Sequence, residues 1–163
     1  MEIRHLTDND DHSAVREIYE KSWKFAYKGI IPQDYLDSIP KTKWGGNVNH
    51  NVRTELIAVD GGKFVGTASF SQSRWDKFKS CGEIVTIYLL PEYIGKGIGS
   101  QLINACIEEL EFLGYTEILL WVLEDNLRAR RFYEKHGFIC TEDYMDDNIG
   151  GKSLREVMYI RRK

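Results

Sequence analysis

Apolar side chains recur every three or four positions in three stretches of the chain, which is the spacing of one face of an α-helix. The spacing predicts helices over residues 11–28, 97–113 and 125–136. Gly114 and Gly137 follow the last two stretches, and glycine is typical of the position just beyond a helix end. Three amphipathic helices are therefore expected, each with one face for a hydrophobic core.

The segment between the first helix and the first long apolar run has a weaker pattern. Pro32 suits the first turn of a helix, where its missing N–H costs nothing, so a short second helix carrying Tyr35 and Leu36 is predicted. Residues 40–53 show no clear period, and the expectation there is that Trp44 anchors a helical turn.

Apolar runs rich in β-branched and aromatic residues predict the strands. Two of these runs flank Asp60-Gly61-Gly62-Lys63, and an Asp-Gly pair in this setting favours a β-hairpin because the turn needs positive φ. The seven predicted strands cover residues 2–6, 55–59, 64–70, 83–90, 116–122, 138–144 and 154–160.

The predicted order of elements is β-α-α-β-β-β-α-β-α-β-β. This is a mixed α/β (α+β) arrangement, with about seven strands in a central sheet and four helices. Residues 83–122 form a strand–helix–strand unit, which brings its two strands side by side and parallel. No repeat or linker divides the chain, so a single domain over residues 1–163 is expected.

Composition favours a globular protein with a substantial core, since 42% of the 163 residues are hydrophobic and 12% are aromatic. No apolar run reaches the roughly 20 residues that cross a bilayer. The N-terminus has no apolar signal core, so a cytoplasmic protein without a membrane partner is expected. The net charge of −3 lacks the basic excess typical of nucleic-acid binders, so no nucleic-acid partner is expected.

Cysteine and histidine spacing gives no sign of a disulfide framework or a metal site. Reduced thiols and no metal are therefore expected. The residues concerned are Cys81, Cys106, Cys140, His5, His12, His50 and His136.

The stretch with the most chemical information is Pro91-Glu92-Tyr93-Ile94-Gly95-Lys96-Gly97-Ile98-Gly99-Ser100. It follows a predicted strand and opens a predicted helix, where free N–H groups and the helix dipole favour phosphate. A tight turn without a ligand is the alternative. The chain has no GxxxxGK[ST] string of a P-loop, and Ser100 stands where the third glycine of a Rossmann GxGxxG belongs.

Residues 83–100 resemble the acetyl-CoA-binding motif of the GNAT superfamily of N-acetyltransferases. In that motif an Arg or Gln is followed, after two residues, by Gly-x-Gly or Gly-x-Ala. Gly97 and Gly99 match, whereas Ile94 stands at the Arg/Gln position and removes one polar side chain near the pyrophosphate.

A second stretch, residues 126–138, is similar to the GNAT helix N-x-x-A-x-x-F-Y-x-x-x-G-F. The two motifs occur in the order of the family and on the expected elements, and the resemblance covers residues 55–144. Six positions match: Asn126, Ala129, Phe132, Tyr133, Gly137 and Phe138.

The resemblance implies an N-acetyltransferase that uses acetyl-CoA as the acetyl donor. It implies that the pantetheine arm pairs with the strand ending at Leu90, with the N–H of Leu89 facing the thioester carbonyl. Asn126 is either a ligand of that arm or a helix cap, and Lys96 is either a phosphate ligand or an ordinary exposed lysine. The implied cofactor-binding residues are Ile87, Tyr88, Leu89, Gly95, Lys96, Gly97, Ile98, Gly99, Ser100, Asn126, Ala129 and Tyr133.

Catalysis needs a proton acceptor, because an alkylamine with a pKa of about 10.4 is an ammonium ion at neutral pH. It also needs a proton donor for the thiolate that leaves. By the resemblance, Tyr133 donates a proton to the CoA sulfur; a core tyrosine is the alternative. Glu83 is the candidate base, directly or through a water, and a solvent-facing carboxylate is the alternative. Alternation puts Glu83 on one face with Val85, Ile87 and Leu89 unless a bulge, which the family carries in this strand, breaks the count.

The acceptor side carries the weaker signals. The acidic residues 142–148 lie in the predicted link between the last two strands, which borders the acceptor cleft in GNAT folds. An acidic rim attracts a cationic amine, and a solvated flexible loop is the alternative. The candidates for the opposite wall, or alternatively for the core, are Trp23, Phe25, Tyr27, Tyr35 and Trp44.

Three functions remain open at this point. The first is acetyl transfer to the primary amine of a small molecule, cationic if the acidic rim acts on it, by direct attack in a ternary complex. The second is acetylation of a peptide or protein N-terminus or lysine, and the third is a non-catalytic acyl-CoA-binding sensor. Homodimers are common in the family, although this sequence carries no signal for one.

Overall fold

The computed structural model describes residues 1–39 and 53–163 of the chain. Its elements follow the predicted order, and the predicted helical turn at Trp44 lies outside the described residues. Two 3₁₀ turns, Asp76–Phe78 and Pro91–Tyr93, accompany the regular elements. The regular elements are β1 (Glu2–His5), α1 (His12–Ala26), α2 (Gln33–Ser38), β2 (Thr54–Asp60), β3 (Lys63–Gln72), β4 (Gly82–Leu89), α3 (Ile98–Phe112), β5 (Glu117–Leu123), α4 (Leu127–Lys135), β6 (Ile139–Ile149) and β7 (Lys152–Arg162).

Capping residues set the starts of the long helices slightly later than the periodicity predicts. Asp11 precedes α1 and its carboxylate accepts from the backbone N–H of Ser13 at 2.9 Å. Asn126 precedes α4 in the same way and accepts from Ala129 N–H at 3.3 Å. Gly97 precedes α3 in the left-handed conformation. Each is a cap rather than the first helical residue.

The seven strands form one mixed sheet in the order β1-β2-β3-β4-β5-β7-β6. The predicted hairpin is confirmed: Asp60 pairs with Lys63, and Gly61 and Gly62 take φ of 55° and 81° in the turn. The predicted parallel pairing of β4 with β5 is also confirmed. All other neighbouring strands run antiparallel.

A bulge interrupts β4. The register with β3 shifts so that Val85 is the extra residue of β4. Because a bulge reverses the alternation of side chains, Glu83 lies on the face of Thr86 and Tyr88 and not on that of Leu89. The regular alternation considered for this strand is thus wrong, and the bulged alternative is the one observed.

The two parallel strands separate soon after they meet. β4 and β5 pair only through Gly82 with Ile118 and Glu83 with Leu119. Beyond Glu83 the bulged strand bends away, so within residues 1–39 and 53–163 the edge of β4 that faces β5 has no strand partner. This divergence creates an opening in the middle of the sheet.

Hydrophobic clusters cover both faces of the sheet. On one face, α3 and α4 pack over a large core that includes Leu102, Leu110 and Tyr159. On the other, α1 packs on β3 and β4, while α2 packs with Leu123 and Leu154. None of the helices in the described ranges is long and apolar enough to cross a bilayer.

The acidic segment 142–148 is part of a strand, which corrects the expected link and its flexible-loop alternative. β6 runs to Ile149 and β7 begins at Lys152, so only Gly150 and Gly151 form the turn. Cross-strand contacts compensate the negative charge: Arg155 Nε donates to Asp146 Oδ1 at 2.9 Å. The Arg155 guanidinium also lies 3.9 Å from the centroid of the Tyr144 ring.

Candidate active site

The opening between β4 and β5 leads into a cavity of about 430 Å³. Its walls come from the end of α1, from β4, from the glycines and their neighbours that open α3, from β5 and α4, and from Glu156 of β7. The structure thus brings the two sequence motifs together at one site. The predicted cofactor-binding residues on these walls are Ile87, Tyr88, Leu89, Gly95, Gly97, Gly99, Ser100, Asn126, Ala129 and Tyr133.

Three predicted site residues do not line the cavity. The Lys96 ammonium lies 4.7 Å from the centroid of the Tyr93 ring, and Ile98 is buried in the core. Glu83 is also buried. The Lys96 side chain thus packs on Tyr93 and the Ile98 side chain packs in the core, so both support the loop from outside the cavity.

The N-terminus of α3 presents free backbone donors to the cavity. Gly95 and Gly97 both have φ of 81°, a conformation that residues with a Cβ rarely adopt. Gly97 caps α3 without any side-chain hydrogen bond, and the first intrahelical bond is Gln101 N–H to Gly97 O. The N–H groups before residue 101 therefore remain available for an anion.

Gly99 lies where the N-terminus of α3 meets α4. A Cβ there would lie 3.4 Å from Cζ of Phe132 in α4 and 3.5 Å from Cδ1 of Leu89, which are ordinary van der Waals contacts. The site therefore also has room for alanine, as the Gly-x-Ala form of the motif implies.

Two basic side chains that sequence reasoning did not select line the same region, Arg128 and Lys135 of α4. The Arg128 guanidinium lies 5.3 Å from the centroid of the Phe25 ring, which orients it. Ile94 also lines the cavity and adds no charge. These cations and the free N–H groups of α3 together fit a phosphorylated ligand. The helical spacing of basic residues in α4 was a usable signal for them.

The free edge of β4 supplies a further donor. Leu90 N–H donates to Val65 O of β3 at 2.9 Å. Because successive N–H groups of a strand point to opposite edges, the Leu89 N–H points toward β5, which has diverged by this point. Leu89 therefore offers its backbone N–H to the opening, while its side chain packs on the core.

Tyr133 lies on the α4 wall with its ring against Phe138 and Tyr159. Burial raises the pKa of Tyr133, and the nearby Tyr88 raises it further, so its hydroxyl keeps its proton at neutral pH. The neighbouring Tyr159 is already engaged: its hydroxyl accepts from Arg130 and donates to Glu134, both at 2.9 Å. Tyr133 is the tyrosine of α4 that faces the cavity.

The aromatic candidates of the first two helices divide between core and surface. Tyr27 lines the cavity, and Trp23, Tyr27 and Tyr35 pack with the α2 cluster. Trp23 Nε1 donates to the Tyr88 hydroxyl at 3.0 Å, which fixes one wall of the cavity. Phe25 is half exposed. Trp44 lies outside the described residues.

Glu83 is held by Arg74. Arg74 Nη2 donates to Oε1 of Glu83 at 2.8 Å, and the Arg74 backbone N–H donates to Oε2 at 2.9 Å. The carboxylate is 1% exposed. This arrangement argues against Glu83 as the group that takes the substrate proton.

Two other residues of the site were not selected from the sequence. Glu156 lines the cavity from β7, opposite Leu123 of β5. Trp121 of β5 also lines it, and its buried Nε1 has no hydrogen-bond partner among the described residues. Both depend on strand register, which the local sequence does not show.

Comparison with known proteins identifies the family of this chain. Residues 13–138 match the acetyltransferase (GNAT) family. The chain belongs to this family. Its GNAT membership confirms the resemblance found in the two motifs and the mixed fold of seven strands and four helices.

Relatives of this GNAT acetyltransferase cover nearly its whole length. An uncharacterized N-acetyltransferase of Bacillus subtilis, YuaI, is 31% identical over 155 residues, 91% of this chain and 86% of the relative. The spermidine N(1)-acetyltransferase of Thermoplasma acidophilum is 28% identical over 163 residues, 98% of each chain. The crystal structure of PaiA N-acetyltransferase from Thermoplasma acidophilum in complex with coenzyme A shares the fold, with a TM-score of 0.78, 24% identity and coverage of 99% and 98%.

Proposed function

We propose that this GNAT acetyltransferase transfers the acetyl group of acetyl-CoA to the primary amine of a small molecule, by direct attack in a ternary complex. One observation carries the proposal: a single cavity contains the free N-terminus of α3, the unpaired edge of β4 and the Tyr133 hydroxyl. These are an anion site, a carbonyl site and a proton donor.

The residues fit the cosubstrate in both position and chemistry. The backbone N–H groups after Gly97, with Arg128 and Lys135, would hold the pyrophosphate. Asn126 would bond the pantetheine arm while it caps α4. The Leu89 N–H would donate a hydrogen bond to the thioester oxygen as negative charge develops on it, a role in which one well-placed donor contributes about 3 kcal/mol.

Tyr133 is the proposed proton donor. When the C–S bond breaks, the sulfur leaves as a thiolate unless a proton reaches it. The Tyr133 hydroxyl is protonated at neutral pH, because the ordinary pKa of a tyrosine is about 10 and burial raises that of Tyr133 further. General acid catalysis contributes about 10²–10⁴-fold.

A cationic small amine is the proposed acceptor. The relative from Thermoplasma acidophilum carries spermidine in its name, and spermidine is a flexible polyammonium ion. In this chain Glu156 brings negative charge to the cavity wall, with Asp147 close enough to affect it. Negative groups at the mouth of a cleft attract such a cation.

Release of free CoA thiol from acetyl-CoA tests the proposal, with polyamines, amino acids, aminoglycosides and short peptides as acceptors. We expect amine-dependent release that is fastest with spermidine or another small polyamine. Release with peptides alone would replace the small molecule by a peptide acceptor. Calorimetric binding of acetyl-CoA without release by any amine would indicate a CoA-binding sensor.

A further inference from the structure

Among the described residues, Glu156 is the acidic side chain that lines the cavity. It lies on β7 between Leu154 and Met158, on the sheet face that α1 and α2 cover, and it lines the cavity. In the described ranges, no lysine, arginine or histidine forms an ion pair with it, whereas Glu83 is held by Arg74.

The groups that face Glu156 come from several elements. Burial raises the pKa values of Tyr27 at the end of α1 and of Tyr88 in β4, and the nearby charge of Glu156 raises both further. Asp147 of β6 acts on it from the hairpin, and Arg74 acts from the segment after β3.

These surroundings decide how Glu156 titrates. Burial raises its pKa, Asp147 raises it further, and Arg74 opposes both effects. A carboxylate with a raised pKa is a better base near neutral pH than an ordinary exposed glutamate.

We infer that Glu156 is the general base of the acetyl transfer, taking a proton from the bound ammonium on the cavity side opposite Tyr133. This inference rests on the proposed function and deepens it by assigning the proton acceptor. It replaces Glu83, whose carboxylate is committed to Arg74.

The proton balance of the step closes with the groups present. The ammonium gives one proton to the Glu156 carboxylate, and the freed nitrogen lone pair forms the C–N bond as the C–S bond breaks. The sulfur takes a proton from the Tyr133 hydroxyl, and the second proton of the nitrogen restores that hydroxyl. Glu156 then returns its proton to solvent, so the products are the acetamide, free CoA and one proton.

The test compares Glu156→Gln with Glu83→Gln and with Glu142→Gln, which removes one exposed charge from the same hairpin. Spermidine is the probe acceptor. The kcat, KM and pH profile of each variant are measured beside the calorimetric affinity for acetyl-CoA and the melting temperature. Glu156→Asp, which keeps the carboxylate, serves as a second variant if the glutamine variant unfolds.

The inference requires that Glu156→Gln lose at least about 100-fold in kcat, lose the acidic limb of the profile and still bind acetyl-CoA. Glu156→Asp should retain that limb.

Two results would overturn the inference. An unchanged kcat with a raised KM in Glu156→Gln would show that Glu156 only binds the charged acceptor. Loss of the acidic limb in Glu83→Gln would point to Glu83 as the base. A wild-type protein that turns over peptides but not spermidine would refute the small-molecule acceptor, and the same variants measured with the active peptide would still decide the base. If the wild-type protein turns over no amine, both the proposed acetyl transfer and the assignment of Glu156 as its base are refuted.

Discussion

The Arg74 guanidinium and the Glu83 carboxylate form an ion pair, 2.8 Å from Nη2 to Oε1, at the point where β4 separates from β5. Glu83 is almost fully buried, while the Arg74 side chain is 42% exposed. Removal of the arginine leaves a buried carboxylate without its partner, which is costly in proteins.

Substitution of Arg74 by methionine should therefore destabilise the protein. Because Arg74 is partly exposed, we expect a loss of about 1–3 kcal/mol in the free energy of unfolding, measured by urea denaturation. The matched control is Arg155→Met, which breaks the exposed pair with Asp146 and should cost about 1 kcal/mol or less. Equal losses would show that burial of Glu83 does not strengthen the pair.

Substitution of Tyr133 by phenylalanine should lower kcat by about 10²-fold or more and lower the affinity for acetyl-CoA far less, because the ring that lines the cavity stays and the proton donor is removed. Steady-state kinetics and calorimetry measure the two effects. The control is Tyr159→Phe, which loses the bonds to Arg130 and Glu134. That variant should lose about 1 kcal/mol of stability and keep its kcat. A Tyr133→Phe protein with normal kcat would remove Tyr133 from the acid role.

Asn126 has two proposed roles that substitutions can separate. Asn126→Ala removes the cap of α4 and should cost about 1 kcal/mol in the free energy of unfolding. Asn126→Ser keeps a capping oxygen but shortens the side chain on the cavity wall. If Asn126 also binds the pantetheine arm, the serine variant should bind acetyl-CoA more weakly at near-normal stability. If the serine variant binds acetyl-CoA with normal affinity, Asn126 acts only as the cap of α4.

The contacts of the Asp10 carboxylate lead us to expect a loss of folding stability at acidic pH. Its carboxylate accepts from Arg4 Nη2 at 2.6 Å and from Thr7 N–H at 2.8 Å. These contacts, the Arg4 bond foremost, hold the pKa of Asp10 well below its ordinary value. A lowered folded pKa stabilises the protein above the unfolded pKa of about 4, and this contribution disappears as the pH falls toward the folded value.

Asp10→Asn should consequently be less stable than the wild type at pH 7, and the difference should shrink as the pH falls below about 4. Urea denaturation at a series of pH values measures it. Asp8→Asn is the control, because it removes the same charge from an exposed position in the same turn. A constant difference across the series would contradict the assigned ion pair.

The sequence contained the local features of this fold. Helix periods, the Asp60–Lys63 turn and the glycines before α3 are determined by residues close together in the chain, and they were predicted nearly to the residue. The three long helices begin one or two residues later than the periodicity predicts, because Asp11, Gly97 and Asn126 are caps.

Features that depend on strand register could not be predicted. The bulge at Val85 decides which face Glu83 occupies, and no local pattern marks its position. Glu156 is one of many acidic residues in the sequence, and only the pairing of β7 with β5 brings it to the cavity. The acidic segment 142–148 reads as a loop by composition, yet a cross-strand partner such as Arg155 allows it to form a strand.

The short pairing of β4 with β5 also has a consequence for the stability of the folded protein. If acetyl-CoA binds as proposed, between the diverged parts of β4 and β5, it binds the folded state alone and adds about 2.7 kcal/mol of stability at 100 times its dissociation constant. The melting temperature of the protein should then rise with the concentration of acetyl-CoA.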